Sequence, residues 1–462
     1  KSALFISEDP KIYEKELEDR DYYTQDNVFW VPPKARWEKI RAQAKQSEIG
    51  SIIDKAMIEI ENENKFLQGK LDKRFGRTQL DDGRLGELID LISTIGFTEK
   101  QNASDLLGEV YEYFLGQFAI AEGKKGGQFY TPSHVVKTLI AILSPHKGRI
   151  YDPCCGSGGM FIQSEEFIKS QGGKIDDVSI YGQESNPTTW RLAAMNLAIR
   201  GFSVDLGKSH GDTFANDQFP DLKFDYIMAN PPFNISDWGG EKYENDVRWK
   251  YGRPPVGNAN YAWLQHMLWK LKPGGQAGIV LANGSMSSTT SGENKIRELM
   301  IKDDLVEIMV ALPDQLFLNT PIPVCLWFLT NNKTKNGRKR TGETLFIDAR
   351  TLGEMKTRIQ KILSEKDIQK LTKTIFSWKQ GKNYQDIKGY CKSSTIKEIE
   401  TNEHNLSPGK YVGFESEEEE INFDEEFNSL FNEYKKINMK SYELSEIINQ
   451  ELEKIKLKKS DD

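Results

Sequence analysis

The sequence predicts an α/β protein built on a mostly parallel sheet, with a helical segment before it and one charged helix after it. Three observations carry that expectation. Between residues 126 and 414, short β-rich runs alternate with helical stretches, the pattern of strands covered on both faces by crossover helices. "YDPCCGSGGMF" at 151–161 sets an acid, a glycine turn and a helix start directly after one such run. On either side of this region the apolar residues recur at helical spacing.

Residues 1–125 form the expected N-terminal helical domain. Its helices are read from "SEIGSIIDKAMIEIENEN", "RLGELIDLISTIGF" and "SDLLGEVYEYFLGQFA", the last with Ser104 as N-cap. The chain starts at Lys1 rather than Met, so further residues are expected upstream. In the central region, 126–414, the strands are "RIYD" at 149–152, "VSIYGQE" at 178–184, "FDYIMAN" at 224–230 and "AGIVLAN" at 277–283, with helices such as "TTWRLAAMNLAIRG" between them. "LVEIMVAL" and "PVCLWFL" follow each other across a short Pro-containing link and are expected to pair antiparallel at the sheet edge, the latter being the last strand, near residue 330. Residues 415–462 begin with the acidic hinge "ESEEEE". A helix follows whose apolar residues recur at steps of mostly three or four: Phe427, Leu430, Phe431, Tyr434, Ile437, Leu444, Ile447, Ile448, Leu452 and Ile455.

Composition narrows the classes. The net charge of −7 has the wrong sign for a protein that grips nucleic acid over its whole surface. No apolar run approaches the ~18 residues of a membrane helix, and no secretory signal is visible. The four cysteines contain no Cys-x-x-Cys pair and the five histidines do not cluster. A metal site and a disulfide framework are therefore not expected, and the cytoplasm is the default compartment.

The chemistry begins at the glycine loop. Gly156, Ser157, Gly158 and Gly159 let backbone approach a ligand, and the helix that starts there offers free N–H groups to an anion. The spacing is not that of a dinucleotide loop. Asp152 would repel a pyrophosphate and welcome an ammonium. Glu184, at the end of the second run, suits ribose hydroxyls, and Asp212 in "HGDTF" suits an adenine amine. A single acid of this kind is commonly a solvated carboxylate or a cap. Three in successive units, with the glycine loop, describe a nucleoside carrying an amino acid, which S-adenosylmethionine is.

"NPPF" at 230–233 ends the fourth run, where open α/β sheets bind ligands. An exocyclic amine conjugated to a ring is a poor nucleophile. The Asn230 side-chain oxygen and the Pro231 carbonyl would each accept one amine hydrogen and release the lone pair. Pro231 and Pro232 hold that carbonyl rigid. Phe233 offers a face for a base swung out of its duplex. The plainer alternative is an Asn-Pro turn with Phe233 in the core. Cytosine N4 and a protein glutamine amide are conjugated amines too, and the chemistry of these four residues does not separate them from adenine. Pro153-Cys154 is reminiscent of the nucleophile of cytosine-C5 methylation, but it opens the glycine loop, and direct transfer to nitrogen needs no thiol.

Several segments in joint order resemble the methylation subunit of type I restriction–modification systems, an N6-adenine DNA methyltransferase family. They are "GQFYTP" at 127–132, "DPCCGSGGM", "YGQESNPTTWRLAAMNLAIRG", "NPPFNISDWGG", "GIVLANGSMSS" and "LPDQLFLNTPIPVCLWFLT", spanning about 20–415. The resemblance implies a seven-stranded S-adenosylmethionine-dependent methyltransferase sheet and adenine as the target. It adds Gln128, Phe129, Tyr130, Thr131 and Pro132 to the cofactor pocket. It also implies two methylation subunits with one specificity subunit that reads double-stranded DNA, and a restriction subunit in the full complex. The chain's own candidates for DNA contact are the basic stretch "KTKNGRKR" at 333–340, read first as a solvated loop and only second as a phosphate contact, and the loop "DWGGEKYENDVRWKYGRPP", equally readable as a base-pocket wall or as plain surface. A scaffold that kept the fold but lost catalysis would be expected to lose some of the residues named above.

Overall fold

Strand formation follows the apolar runs closely. The computed structural model describes residues 15–25, 28–77, 82–94, 131–170, 177–200, 202, 204–317, 322–335, 337–358, 360–413 and 423–458. In chain order the strands are β1 (Gly148–Asp152), β2 (Val178–Gly182), β3 (Val204–Asp205), β4 (Phe224–Ala229), β5 (Leu271–Ala282), β6 (Val306–Ala311), β7 (Val324–Thr330), β8 (Glu343–Asp348), β9 (Glu354–Met355), β10 (Lys361–Ile362) and β11 (Cys391–Thr395). Nine form one sheet in the order β11-β8-β6-β7-β5-β4-β1-β2-β3, while β9 and β10 make a separate two-stranded ribbon. Pairing is parallel from β3 through β5. It is antiparallel where β7 enters between β5 and β6.

Three expectations are corrected here. Among the described residues the sheet has nine strands rather than seven, because β8 and β11 extend it beyond β6. The β6–β7 pair is antiparallel as expected, yet it lies inside the sheet and not at its edge. The last sheet strand is β11, not the one ending at Thr330. In β11, "CKSST" has one apolar residue and no alternation, so its sequence carries no strand signal.

Helices cover both faces. Period-two alternation sends Tyr226 and Met228, Ile308 and Val310, and Leu326 and Phe328 to one face. There they meet Leu139 of α3 (Ser133–Leu143), Phe161 of α4 (Gly159–Ser170), Leu197 of α5 (Pro187–Ile199) and Trp378 of α8 (Glu365–Gln380). Ile227, Met309 and Trp327 point the other way, to Leu264 and Met267 of α6 (Asn260–Lys270) and Met300 of α7 (Glu293–Lys302). Near the N-terminus, α1 (Ile49–Glu63) packs Ile49, Ile53 and Ala56 against Leu85 and Ile89 of α2 (Asp82–Ser93). Leu67 and Leu71 reach Ala198 of α5. The stretch "SDLLGEVYEYFLGQFA" lies outside the described residues.

The chain to Gly413 is one compact unit and Phe414–Asp462 a second. In the second, α9 (Phe423–Lys458) is a helix of 36 residues whose Phe427, Leu430, Tyr434, Ile437, Leu444, Ile447, Ile448 and Leu452 are all more than half exposed.

The basic stretch at 333–340 is only partly a solvated loop: Lys335 and Lys339 are exposed, while its other three cations turn inward. Lys333 is buried and pairs with Asp304 at 2.6 Å, and Arg338 pairs with Glu343 at 2.6 Å. Arg340 is buried against Glu307 at 2.7 Å, and Lys379 of α8 reaches the same carboxylate at 3.2 Å. Burial pushes the Glu307 carboxyl up, but Lys379 and Arg340 outweigh it and hold the group ionised. Arg338, which also donates to the Trp378 carbonyl at 3.1 Å, and Arg340, which shares Glu307 with Lys379, fasten α8 to the extended side of the sheet.

Candidate active site

The glycine loop is fixed by its neighbours before any ligand is considered. The Gln183 N–H donates to the Asp152 carbonyl and the Cys155 N–H to the Gln183 carbonyl, both at 2.9 Å, so the chain ends beyond β1 and β2 stay joined. Asn196 of α5 donates from Nδ2 to the Ser157 carbonyl at 2.8 Å. Gly158 has φ +82, and a Cβ there would also touch Leu197. A Cβ on Gly159, the first residue of α4, would meet nothing within 4 Å. The loop is thus left-handed where it must turn and open where the helix begins.

A cavity of about 310 Å³ lies at these strand ends. Its wall includes Pro153, Cys154, Glu184, Asp212, Pro232 and Asp237. Asp152, which ends β1 and is not among the lining residues, is 2% exposed and accepts the Cys154 N–H at 2.9 Å. Burial pushes its carboxyl up to about 7, and the nearby Glu184 adds to that. Burial raises Glu184 as well, opposed by the N–H groups of Asn186 at 2.7 Å and Gly156 at 3.1 Å. Among the described residues no Lys or Arg pairs with either acid. This donor set calls for a bound cation bearing hydroxyls, and the amino acid and ribose ends of S-adenosylmethionine fit it. Cys154 and Cys155 have their thiols pushed well up by burial and by Asp152 and Glu184, which leaves little thiolate at either. Asp212 is exposed; its Oδ1 caps the N–H groups of Phe214 and Ala215 at 2.8 and 2.9 Å.

Asn230 follows β4 directly and is buried. Its Nδ2 donates to Thr131 Oγ1 at 2.9 Å, whereas its Oδ1 is buried with no hydrogen-bond partner. Pro231 is buried and Pro232 lines the cavity. Phe233 is half-buried and does not line it. Its ring meets Phe317 edge-on, with centroids 6.0 Å apart at 81°. Phe233 therefore joins the packing, as its plainer reading had it, while keeping exposed surface. Asn234 then turns in a left-handed conformation, φ +53, held by two reciprocal hydrogen bonds with Asn260 at 3.1 and 2.8 Å.

Of the segment at 127–132, Thr131 and Pro132 are described; Gln128, Phe129 and Tyr130 lie outside the described residues. Pro132 is buried and precedes α3. Thr131 meets Asn230 rather than the acids.

Sequence reasoning missed several residues. Gln183 is fully buried, and its amide bonds the carbonyls of Gly211 and Asn216 at 3.0 and 2.8 Å and the Gln218 N–H at 3.1 Å, which shapes the loop bearing Asp212. A polar residue ending an apolar run was its only signal. Phe214, Ile235, Trp238 and Trp263 line the cavity. The loop from 237 to 255 is anchored by its aromatic residues: Trp238, Trp249 and Tyr251 are buried, Trp238 packs on Phe214 at 5.1 Å, and Asp237 and Trp238 form part of the cavity wall, while Val247 remains exposed.

Comparison with known proteins identifies the family. Residues 102–420 match the N-6 DNA methylase family, and residues 3–92 match the HsdM N-terminal domain. The type I restriction enzyme HindI methylase subunit of Haemophilus influenzae is 46% identical over 443 residues, covering 91% of this chain and 99% of that one. The MjaIX methylase subunit of Methanocaldococcus jannaschii is 38% identical over 447 residues, covering 94% and 79%. The crystal structure of the type I restriction-modification methyltransferase subunit from Streptococcus thermophilus superposes with a TM-score of 0.71 at 25% identity, covering 87% of this chain and 86% of that one. The sheet and its helices are therefore those of an S-adenosylmethionine-dependent methyltransferase, and the chain belongs to the methylase subunits of type I restriction enzymes, as an adenine-specific DNA methyltransferase.

Proposed function

We propose that Asn230 and Pro231 activate the adenine amine, and that the carboxylate-lined cavity holds S-adenosylmethionine. The observation that carries this reading is the Asn230 side-chain oxygen. It is a buried acceptor without a donor, on an amide whose other end is tied to Thr131. A buried acceptor left unmade costs about 1–3 kcal/mol, which an incoming amine hydrogen would recover. The Pro231 carbonyl accepts the second hydrogen, and the nitrogen lone pair turns away from the ring. Phe233 provides a flat face for the displaced base. S-adenosylmethionine, when bound, supplies an electrophilic methyl group. Asp152 holds its ammonium, Glu184 its ribose hydroxyls and Asp212 its adenine amine, with Gly156, Ser157, Gly158 and Gly159 leaving room for the rest. Gln128, Phe129, Tyr130 and Pro132 belong to the same pocket in this reading, and Thr131 bridges it to the catalytic amide.

The accompanying organisation is a helical domain over 1–125, a catalytic domain over 126–414, and a hinge with a docking helix over 415–462. A specificity subunit reads double-stranded DNA for two such chains, a restriction subunit joins the full complex, and the assembly works in the cytoplasm. The support is kinship with named subunits of restriction enzymes and the net charge of −7, which is ill-suited to an independent DNA grip. Transfer of labelled methyl to DNA, with and without the specificity subunit, followed by nucleoside analysis, is the test. Label in N6-methyladenine is expected only with that subunit present. Label in N4-methylcytosine or in protein would overturn the assignment.

A further inference from the structure

Arg248 lies outside the cavity wall and is 8% exposed. Its guanidinium is fully engaged. Nε and Nη2 hold the Asp246 carboxylate at 2.8 and 2.6 Å. Nη1 donates to the Thr213 carbonyl at 3.2 Å and Nη2 to the Phe214 carbonyl at 2.9 Å. Nη1 also lies 3.3 Å from Nδ1 of the fully buried His266, which burial and the cations of Arg248 and Lys270 keep neutral and able to accept. The rings of Trp249, Phe214 and Tyr243 surround the group at 5.2, 5.6 and 5.8 Å.

The two carbonyls belong to the turn that forms one wall of the cavity. The Asp212 carboxylate already holds the N–H groups of that turn. The Thr213 hydroxyl donates to the Pro153 carbonyl at 2.5 Å, which ties the turn to the glycine loop. Without Arg248 the carbonyls of Thr213 and Phe214 would face a buried, aromatic interior with no donor, and the turn would have to rotate to satisfy them.

We infer that Arg248 is a positioning residue for the cofactor: through the carbonyls of Thr213 and Phe214 it sets the wall that receives the nucleoside, while touching no part of the ligand itself. This rests on the cavity being the S-adenosylmethionine site. The planar fork bonds four oxygens at once, both of the Asp246 carboxylate and the two carbonyls, one more than the three N–H groups of a lysine ammonium can reach.

Calorimetric titration of the full chain with S-adenosylhomocysteine and with 5′-methylthioadenosine tests it. In Arg248→Met, the Kd for both ligands should rise by on the order of tenfold or more, with binding stoichiometry kept. In the assembled enzyme the loss should fall on KM for the cofactor and not on KM for DNA. Arg248→Lys should restore only part of the affinity. Asp246→Asn, a gentler change that keeps the guanidinium, should move Kd in the same direction by less, and it serves if the methionine variant does not fold. Unchanged Kd in Arg248→Lys and Asp246→Asn overturns the inference. So does a reduced stoichiometry at wild-type Kd, which would mean loss of folded protein only. Failure of the wild-type chain to bind either ligand would instead overturn the reading of the cavity.

Discussion

Replacing Asn230 by alanine should remove methyl transfer while leaving cofactor affinity nearly intact. Asn230 follows β4 directly, and its amide does not line the cavity. Its Oδ1 makes no bond in the folded chain, so the truncation sacrifices only the Nδ2 contact with Thr131 at 2.9 Å. Folding stability should fall by no more than about 1 kcal/mol, the net worth of an ordinary hydrogen bond. In the transition state the loss is larger, because a preorganised acceptor in a dry site is typically worth ~10²–10³ in rate. Thr131→Val is the graded companion. It keeps the acceptor but leaves Nδ2 buried without a partner, which costs folding stability about 1–3 kcal/mol, and transfer should slow less than in Asn230→Ala, to the extent that the untied amide leaves its orientation. The assay is single-turnover transfer of labelled methyl to a DNA duplex by the chain with its specificity subunit, alongside calorimetric Kd for S-adenosylhomocysteine. Wild-type turnover by Asn230→Ala would refute the reasoning. So would a rate deficit that disappears at saturating cofactor, since that would put Asn230 in the cofactor pocket instead.

Asp152→Ala and Glu184→Ala should each weaken cofactor binding by about 1.5–3 kcal/mol, the worth of a hydrogen bond to a charged group; unchanged calorimetric Kd in both would mean that the pocket lies elsewhere. The ligand-free protein should also show Asp152 in its pH profile. The folded carboxyl titrates at about 7 and an unfolded one near 3.9, so the stability it lends is complete below pH 4 and is lost as pH rises through 7. Melting curves should therefore show Asp152→Asn gaining on wild type across that window and holding its advantage above it; a constant offset would contradict the shifted carboxyl. Phe233→Trp should retain substantial activity, whereas Phe233→Ala should lose about 1–3 kcal/mol of base stacking along with its contact to Phe317. An alanine variant as active as wild type on duplex DNA would make Phe233 a packing residue alone. Deletion of residues 421–462 should spare cofactor binding and abolish co-purification with the specificity subunit if, as proposed, the exposed apolar stripe of α9 docks that subunit in a coiled-coil arrangement. Recovery of the complex at wild-type yield would rule this out, and loss of cofactor binding would point to a helix that folds back on the catalytic domain.

What the sequence determined by itself is local. The runs ending at Asp152, Gly182, Ala229 and Ala282 are strands because β-branched and aromatic residues cluster there between turn residues, and α4 begins at Gly159 because the glycine turn ends there. Asp152 ends β1 and Asn-Pro-Pro closes β4 for the same local reason: proline stops a ladder. What only the tertiary structure decided is which surfaces meet. β7 slots between β5 and β6, and β8 and β11 lengthen the sheet, because an apolar run specifies burial but not the strand it pairs with. Lys333, Arg338 and Arg340 look like a basic patch in sequence, yet their partners Asp304, Glu343 and Glu307 come from other elements and turn the patch inward. Thr131 holds an amide 99 residues away, and Arg248 reaches carbonyls 34 and 35 residues behind it. Composition and periodicity fix the conformation of each segment, but such contacts exist only once the sheet has brought separate loops to one end, where a buried carbonyl or amide must find its partner in space.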